Sequence, residues 1–344
     1  MSLNAGLMQL CVQNDNTTKT LKRKTEQKLS DYSPKDSKWD TERGKTQQMA
    51  DFLYESGRFE KWAERMDGCT RVLSFSETID QATGEVKPKL SDAYFCHCRH
   101  CTTCDGRRSL VRMKRFKDYL PTIEAENPKA RWVFLTLTVP NCPVDELRET
   151  LRGMNAAWNR LRLRKQFKPV LGWIRATEVT QEKKREGYAH PHFHCLLLVP
   201  PSWFNGRNYV KQADWVELWR SCMRLEVNPV VDVRAVKGDT MRGAVETLKA
   251  FNYSMKVDDL IERSPDWMLT YMEQVHGLRF LAAGGALKDA LKRIEEETTD
   301  TDLIHVDGEQ ASNDNGARRA FSWRPSEKIY RRFTKGDKPA VTDE

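Results

Sequence analysis

Between Arg131 and Lys256 the chain alternates between the two-residue period of a strand and the 3.6-residue period of a helix, in an order few folds accommodate. Trp132 to Thr138 (WVFLTLT) is rich in β-branched and aromatic residues and stops at Pro140-Asn141. Beyond Pro143, the residues Leu147, Leu151, Met154, Trp158 and Leu161 form one apolar stripe, as in an amphipathic helix. Gly172 to Thr180 reads as a second strand, and the polar stretch QEKKREG turns the chain into a third, His190 to Val199, which Pro200-Pro201 ends. Trp215, Leu218, Trp219, Cys222 and Met223 mark a second helix, Pro229 to Val236 a fourth strand, and roughly Asp239 to Met255 a further helix. The order β-α-β-β-α-β is the split βαβ (ferredoxin-like) arrangement, an antiparallel sheet with flanking helices in an α+β fold.

The remainder of the 344 residues is organised around that block. Residues 1–50 are polar, with a basic cluster at Lys22, Arg23 and Lys24, and read as a flexible basic arm. Residues 51–125 form a cysteine-rich, basic subdomain, 126–290 the split βαβ domain, and 291–344 a largely flexible acidic linker and basic tail. No repeat of fixed period is visible, which excludes solenoids and propellers. No run of 18 apolar residues occurs, and Met1 to Asn16 lacks a basic region followed by an apolar one, so a cytoplasmic protein without membrane contact is expected. In a reducing compartment, nine cysteines point to metal binding before disulfides.

The net charge of +8 understates how basic the body is. Residues 295–317 carry eight acids and no Lys or Arg; without them, 57 basic residues face 41 acids, a net +16. Arg107, Arg108, Arg112, Lys114, Arg115 and Lys117 form one basic cluster. Arg152, Arg160, Arg162, Arg164, Lys165, Lys168 and Arg175 lie in an acid-free stretch from Leu151 to Thr177. Such clusters suit a phosphate backbone. Trp203 and Phe204 are candidates to stack unpaired bases, whereas Trp173 suits the core.

The third strand begins His190-Pro191-His192-Phe193-His194. Alternation puts His192 and His194 on one face with Cα atoms about 6.8 Å apart, close enough for both imidazoles to share an ion. His190 has the same parity but sits at the strand's entrance. Hard divalent ions also want oxygen, and Glu178, near the end of the preceding strand and across the presumed hairpin, is the natural third ligand. The last helix of the block presents a polar stripe of Glu246, Lys249, Tyr253 and Lys256 opposite its apolar one. A phenol, whose free pKa is about 10, attacks phosphate usefully only beside a metal and a cation, and Lys256 supplies the latter.

Upstream, Cys96-x-Cys98-x-x-Cys101-x-x-Cys104 with Cys69 offers five thiols for the four places of a tetrahedral structural zinc. His97 and His100 are alternates.

Across roughly residues 65–290 these features resemble the HUH endonucleases, and within them the rolling-circle replication initiators of small bacterial plasmids. Phe134-Leu135-Thr136-Leu137-Thr138 is similar to the family's first motif, His190-Pro191-His192-Phe193-His194 to the second and Tyr253-Ser254-Met255-Lys256 to the third. Glu178 within ATEVT and the stretch around Gly277-Leu278-Arg279 and Gly284-Gly285-Ala286-Leu287 extend the likeness. The resemblance implies that His192, His194 and Glu178 hold Mg²⁺ or Mn²⁺, and that Tyr253, beside Lys256, forms a 5′-phosphotyrosine. Its C-x-x-R-x-C cysteine pattern selects Cys96, Cys101 and Cys104, with Cys69 added as fourth Zn²⁺ ligand and Cys98 left spare. It also implies single-stranded and hairpin DNA at a replication origin as substrate, a host helicase and polymerase as partners, and allows a homodimer on DNA. Where the plasmid group often has a glutamate four residues before the tyrosine, this chain has Lys249; Glu246, two helical turns from Tyr253, is the remaining candidate for a terminating hydrolysis. A transposase or relaxase of the same superfamily shares these residues, and a zinc-containing DNA-binding regulator shares the basic clusters. The lack of a second nearby tyrosine and of a helicase region favours the initiator.

Overall fold

The computed structural model describes residues 27–79, 84–205, 208–236, 261, 264–306 and 318–333. It is an α+β structure with two antiparallel sheets and flanking helices.

The larger sheet is ordered β7-β3-β6-β5-β8, from strands β3 (Arg131–Thr138), β5 (Gly172–Gln181), β6 (Tyr188–Val199), β7 (Val231–Ala235) and β8 (Leu281–Gly285); a short β4 (Cys142–Pro143) pairs with the start of β6. β6 is central and reads almost wholly apolar after His194, as a strand covered on both faces must. On one face, Leu135, Leu137, Phe193, Cys195, Leu197 and Trp173 meet helices α5 (Leu147–Arg162) and α6 (Gln212–Met223). The predicted stripe of α5 is buried there, and Trp158 stands edge-on to Phe167, Trp173 and Phe193. On the other face, Trp132, Ile174, Leu196 and Leu198 pack under Phe116, Leu120 and Ile123 of α4 (Thr102–Glu126) and under Leu287, Ala290 and Ile294 around α8 (Lys288–Ile294). That cover reaches only the half of the face distant from the histidines. At the β8 edge, a Cβ on Gly285 (φ +59°) would lie 2.2 Å from the Leu171 carbonyl oxygen, so only glycine lets the edge close this tightly.

The smaller sheet is ordered β10-β9-β1-β2, from β1 (Val72–Ile79), β2 (Val86–Ala93), β9 (Arg318–Arg324) and β10 (Ile329–Phe333). Helices α2 (Lys38–Glu55) and α3 (Glu60–Gly68), with the single turn α1 (Leu29–Tyr32), pack with it. Helix α7 (Pro265–Val275) packs against α5, and α9 (Asp300–Ile304) lies against α4 and β2.

Two expected boundaries are corrected. The span 1–50 is not an arm throughout: Leu29, Trp39, Met49 and Ala50 are buried on α1 and α2. The span 291–344 is not largely a flexible tail: β9 pairs with β1 and buries Phe321 and Trp323, while β10 buries Tyr330, whose hydroxyl donates to the Thr70 carbonyl at 2.6 Å. The helix expected over Asp239 to Met255, with Glu246, Tyr253 and Lys256, and the basic cluster at Lys22 lie outside the described residues.

Candidate metal and nucleic-acid site

The register of three strands assembles the first cluster. β6 pairs His194 with Thr136 of β3 and Ala176 of β5, and it pairs His192 with Thr138 and Glu178. Glu178 and the two histidines therefore share a face at the end that α4 and α8 leave uncovered. Glu178 Oε2 lies 2.9 Å from His192 Nε2 and 2.6 Å from His194 Nε2, and the two nitrogens are 3.0 Å apart. His192 Nδ1 faces the His190 carbonyl oxygen at 3.4 Å, and His194 Nδ1 faces Thr136 Oγ1 at 3.2 Å. A carbonyl only accepts, so His192 Nδ1 is the donor in that contact, which leaves Nε2 as the atom to bind an ion. Burial pushes the Glu178 carboxyl up, but hydrogen bonds and charge from His192 and His194 win and hold it at about 2. It is an anion at any physiological pH.

These distances fit a divalent ion. Ligand atoms about 2.1 Å from a metal and at right angles to one another stand about 3.0 Å apart, the separation the two imidazole nitrogens already have. His190 is not part of the trio: its Nδ1 is 2.5 Å from Asn141 Oδ1, and burial first, then the neighbouring His192, lowers its pKa.

The second cluster joins Cys69, Cys96, Cys101 and Cys104, all buried. Sulfur separations are 3.5 Å for Cys69 to Cys104, 3.6 Å for Cys96 to Cys104 and 3.6 Å for Cys69 to Cys101. A tetrahedron of thiolates with Zn–S of about 2.3 Å has edges of about 3.8 Å, so the four fit one ion with little movement. Cys101 caps α4, its sulfur accepting from the Cys104 amide. Burial pushes the Cys101 thiol up, yet hydrogen bonds from Cys104, Cys69 and Cys96 outweigh it and hold the thiol well below its usual range. Cys98 stays outside the quartet, its amide donating to Cys96 Sγ. The alternates are engaged elsewhere. His97 Nε2 meets Asp300 at 2.6 Å, and His100 is wedged between Trp62 and Tyr271, where burial drops its pKa to about 3.

The basic helix differs from expectation. Arg107 donates to the carbonyls of Leu303 and Ile304 at 2.6 and 2.9 Å, Arg108 to those of His97 and Cys98, and Arg115 to those of Glu296 and Glu297 and to the Asp302 carboxylate. These guanidinium groups hold the C-terminal end of α9, the favourable place for a cation on a helix, together with the segment after α8 and the cysteine loop. Arg112 is partly buried beside them, and Lys114 pairs with Asp118. In the second basic stretch, Arg160 holds the Cys222 carbonyl, while Arg162, Arg164 and Lys165 are exposed, Arg162 over the Trp173 ring. Trp203, a stacking candidate in the sequence, is buried against Trp215.

Sequence reasoning missed Asn141 and the hydroxyl of Thr136. The alternation of FLTLT does put Thr136 on the histidine face, but only the strand order makes it a neighbour.

Residues 87–331 match the Rep_1 family, described as "Replication protein". A "Protein rep" of Streptococcus pneumoniae serotype 2 (strain D39 / NCTC 7466) is 30% identical over 302 residues, covering 86% of this chain and 92% of the relative. A "Protein rep" of Lactiplantibacillus plantarum is 32% identical over 292 residues, covering 78% and 89%. One of Bacillus amyloliquefaciens is 34% identical over 295 residues, covering 78% and 84%. No solved structure matches. No helix among the described residues is long and apolar enough to cross a membrane.

Proposed function

This chain belongs to the Rep_1 family of replication proteins, and from that premise we propose that it initiates rolling-circle replication of a plasmid by nicking one DNA strand at the origin. The observation that carries the reading is the meeting of Glu178, His192 and His194 on one face of an antiparallel sheet. The strand order supports an HUH core, since the four strands predicted from periodicity, β3, β5, β6 and β7, lie in the spatial order fourth, first, third, second of a split βαβ fold.

In this reading His192, His194 and Glu178 hold Mg²⁺ or Mn²⁺. The ion, when bound, withdraws charge from the scissile phosphate and makes phosphorus more electrophilic. Tyr253 supplies the nucleophile: its phenol oxygen bonds to phosphorus, the bond from phosphorus to the 3′ oxygen breaks, and the phenolic proton is made up on that oxygen as a 3′-hydroxyl. A polymerase extends this end, after a helicase has opened the duplex. The 5′-phosphotyrosine conserves the bond energy for rejoining. Lys256 stabilises the phenolate, and Glu246 is the candidate to accept a proton from water in a terminating hydrolysis. Zn²⁺ on Cys69, Cys96, Cys101 and Cys104 is structural, fixing the start of α4 to α3. The exposed Arg162, Arg164 and Lys165 serve phosphate contact in place of Arg107, Arg108 and Arg115, which are engaged within the protein.

The test is incubation with a single-stranded origin oligonucleotide and Mn²⁺, read as a covalent adduct on a denaturing gel. The adduct is expected in the wild type and lost in Tyr253→Phe. No adduct in the wild type, or an undiminished one in the variant, overturns the mechanism.

A further inference from the structure

The strand β3 carries two threonines on the face of the histidines, and their hydroxyls do different things. Thr138 Oγ1 donates to the Val230 carbonyl at 2.8 Å and accepts from the Val230 amide at 3.1 Å, fastening the approach to β7. Thr136 Oγ1 has His194 Nδ1 as its hydrogen-bond partner among the described residues, at 3.2 Å. Phe134, one strand repeat further back, lies flat on the same imidazole, with ring centroids 5.4 Å apart and planes 17° from parallel. The ring of His194 is thus fixed at its edge by Thr136 and on its face by Phe134.

His192 is held differently. Its Nδ1 faces a main-chain carbonyl, that of His190, which no substitution removes. Among the described residues, only His194 of the two has a replaceable side chain as its Nδ1 partner. When an ion is bound, an Nδ1 proton given to Thr136 leaves Nε2 as the ligand atom, already facing the point shared with Glu178 and His192. A half-turn about the Cβ–Cγ bond would point carbon at that place instead.

We infer that Thr136, seconded by Phe134, is a positioning residue that sets the aim of His194 and thereby the affinity of the site for a divalent ion. This rests on the reading that Glu178, His192 and His194 hold such an ion, and it gives the FLTLT strand a task of its own. Thr136→Val keeps the volume and the β-branch, so the strand survives while the hydrogen bond goes.

The experiment titrates Mn²⁺ into the full chain, free Mn²⁺ being read by electron paramagnetic resonance, with melting in chelator recorded for each variant. The wild type binds one Mn²⁺ that His192→Ala abolishes. Thr136→Val raises the dissociation constant about 10- to 100-fold, the usual cost of losing a partner behind a metal-binding histidine. Its melting temperature in chelator stays near that of the wild type, and Thr136→Ser restores affinity to within about threefold. Thr138→Val lowers the melting temperature and leaves affinity unchanged. Wild-type affinity in Thr136→Val, or no recovery in Thr136→Ser, overturns the inference alone. Absence of Mn²⁺ binding in the wild type overturns the reading beneath it as well.

Discussion

Replacing Glu178 by Gln removes one negative charge from between two imidazoles and keeps nearly the same shape. In the metal-free protein His192 and His194 hold the carboxyl down from its ordinary 4.5 to about 2, against a burial that works the other way. The side chain is only 16% exposed, so solvent screens little of this. At 1.36 kcal/mol per pKa unit, the fall corresponds to about 3 kcal/mol of folding stability carried by the ionised form. Because the folded pKa is depressed, that contribution is complete above the unfolded value near 4.5 and drains away as pH falls towards 2. The assay is urea unfolding of wild type and Glu178→Gln in chelator at pH values from 7 down to 3, followed by far-ultraviolet circular dichroism. The variant is expected to be less stable by about 3 kcal/mol at pH 7, with the gap narrowing steadily below pH 4.5. General acid denaturation cancels in the difference between the two proteins. A gap that stays constant from pH 7 to pH 3 would refute the claim that the carboxylate is held by charge and hydrogen bonding.

Two further outcomes follow from the packing. Phe321→Ala, which empties a fully buried position of β9, is expected to cost about 3–5 kcal/mol, seen as a lower urea midpoint; a change under about 1 kcal/mol would mean the C-terminal hairpin contributes no core. Arg115→Ala is expected to speed protease cleavage between residues 295 and 304 and to leave the salt dependence of DNA binding unaltered, whereas Arg162→Ala flattens that slope by about one counterion. A slope change in Arg115→Ala instead would return α4 to the DNA interface.

How much of this was legible in the sequence varied with the kind of signal. Strand alternation alone put His192 and His194 on one face, because parity survives any strand order. Pairing Glu178 with His192 needed the register of β5 on β6, which the expected hairpin suggested and its turn sets. The cysteines were visible as a group, but spacing could not rank Cys98 against Cys96; the fold does so by gathering Cys96, and not Cys98, with Cys69, Cys101 and Cys104. Helix α2 was hidden because its buried stripe holds Arg43 and Thr46 between Trp39 and Met49. Arg43 Nη2 donates to the Asp67 carbonyl and to Gln47, and Thr46 meets Thr102 and Thr103; of these four partners, all but Gln47 are at least twenty residues distant. The hairpin β9–β10 was read as a tail because Arg and Lys dominate its composition. Phe321, Trp323 and Tyr330 alternate there around the turn Pro325 to Lys328, which was the available signal.

The pairing of β9 with β1 also governs the order in which this protein can be made. Ser76 and Arg318 are neighbours in the smaller sheet, yet the whole of the larger sheet lies between them in the chain. On a ribosome, the larger sheet has all its strands once residue 285 has emerged, while the cysteine-bearing half still lacks two strands. Its core closes only after Phe333 appears, so the sheet that carries Glu178, His192 and His194 is complete before the half that carries the thiols. During that interval β1 presents to solvent the edge that β9 later covers.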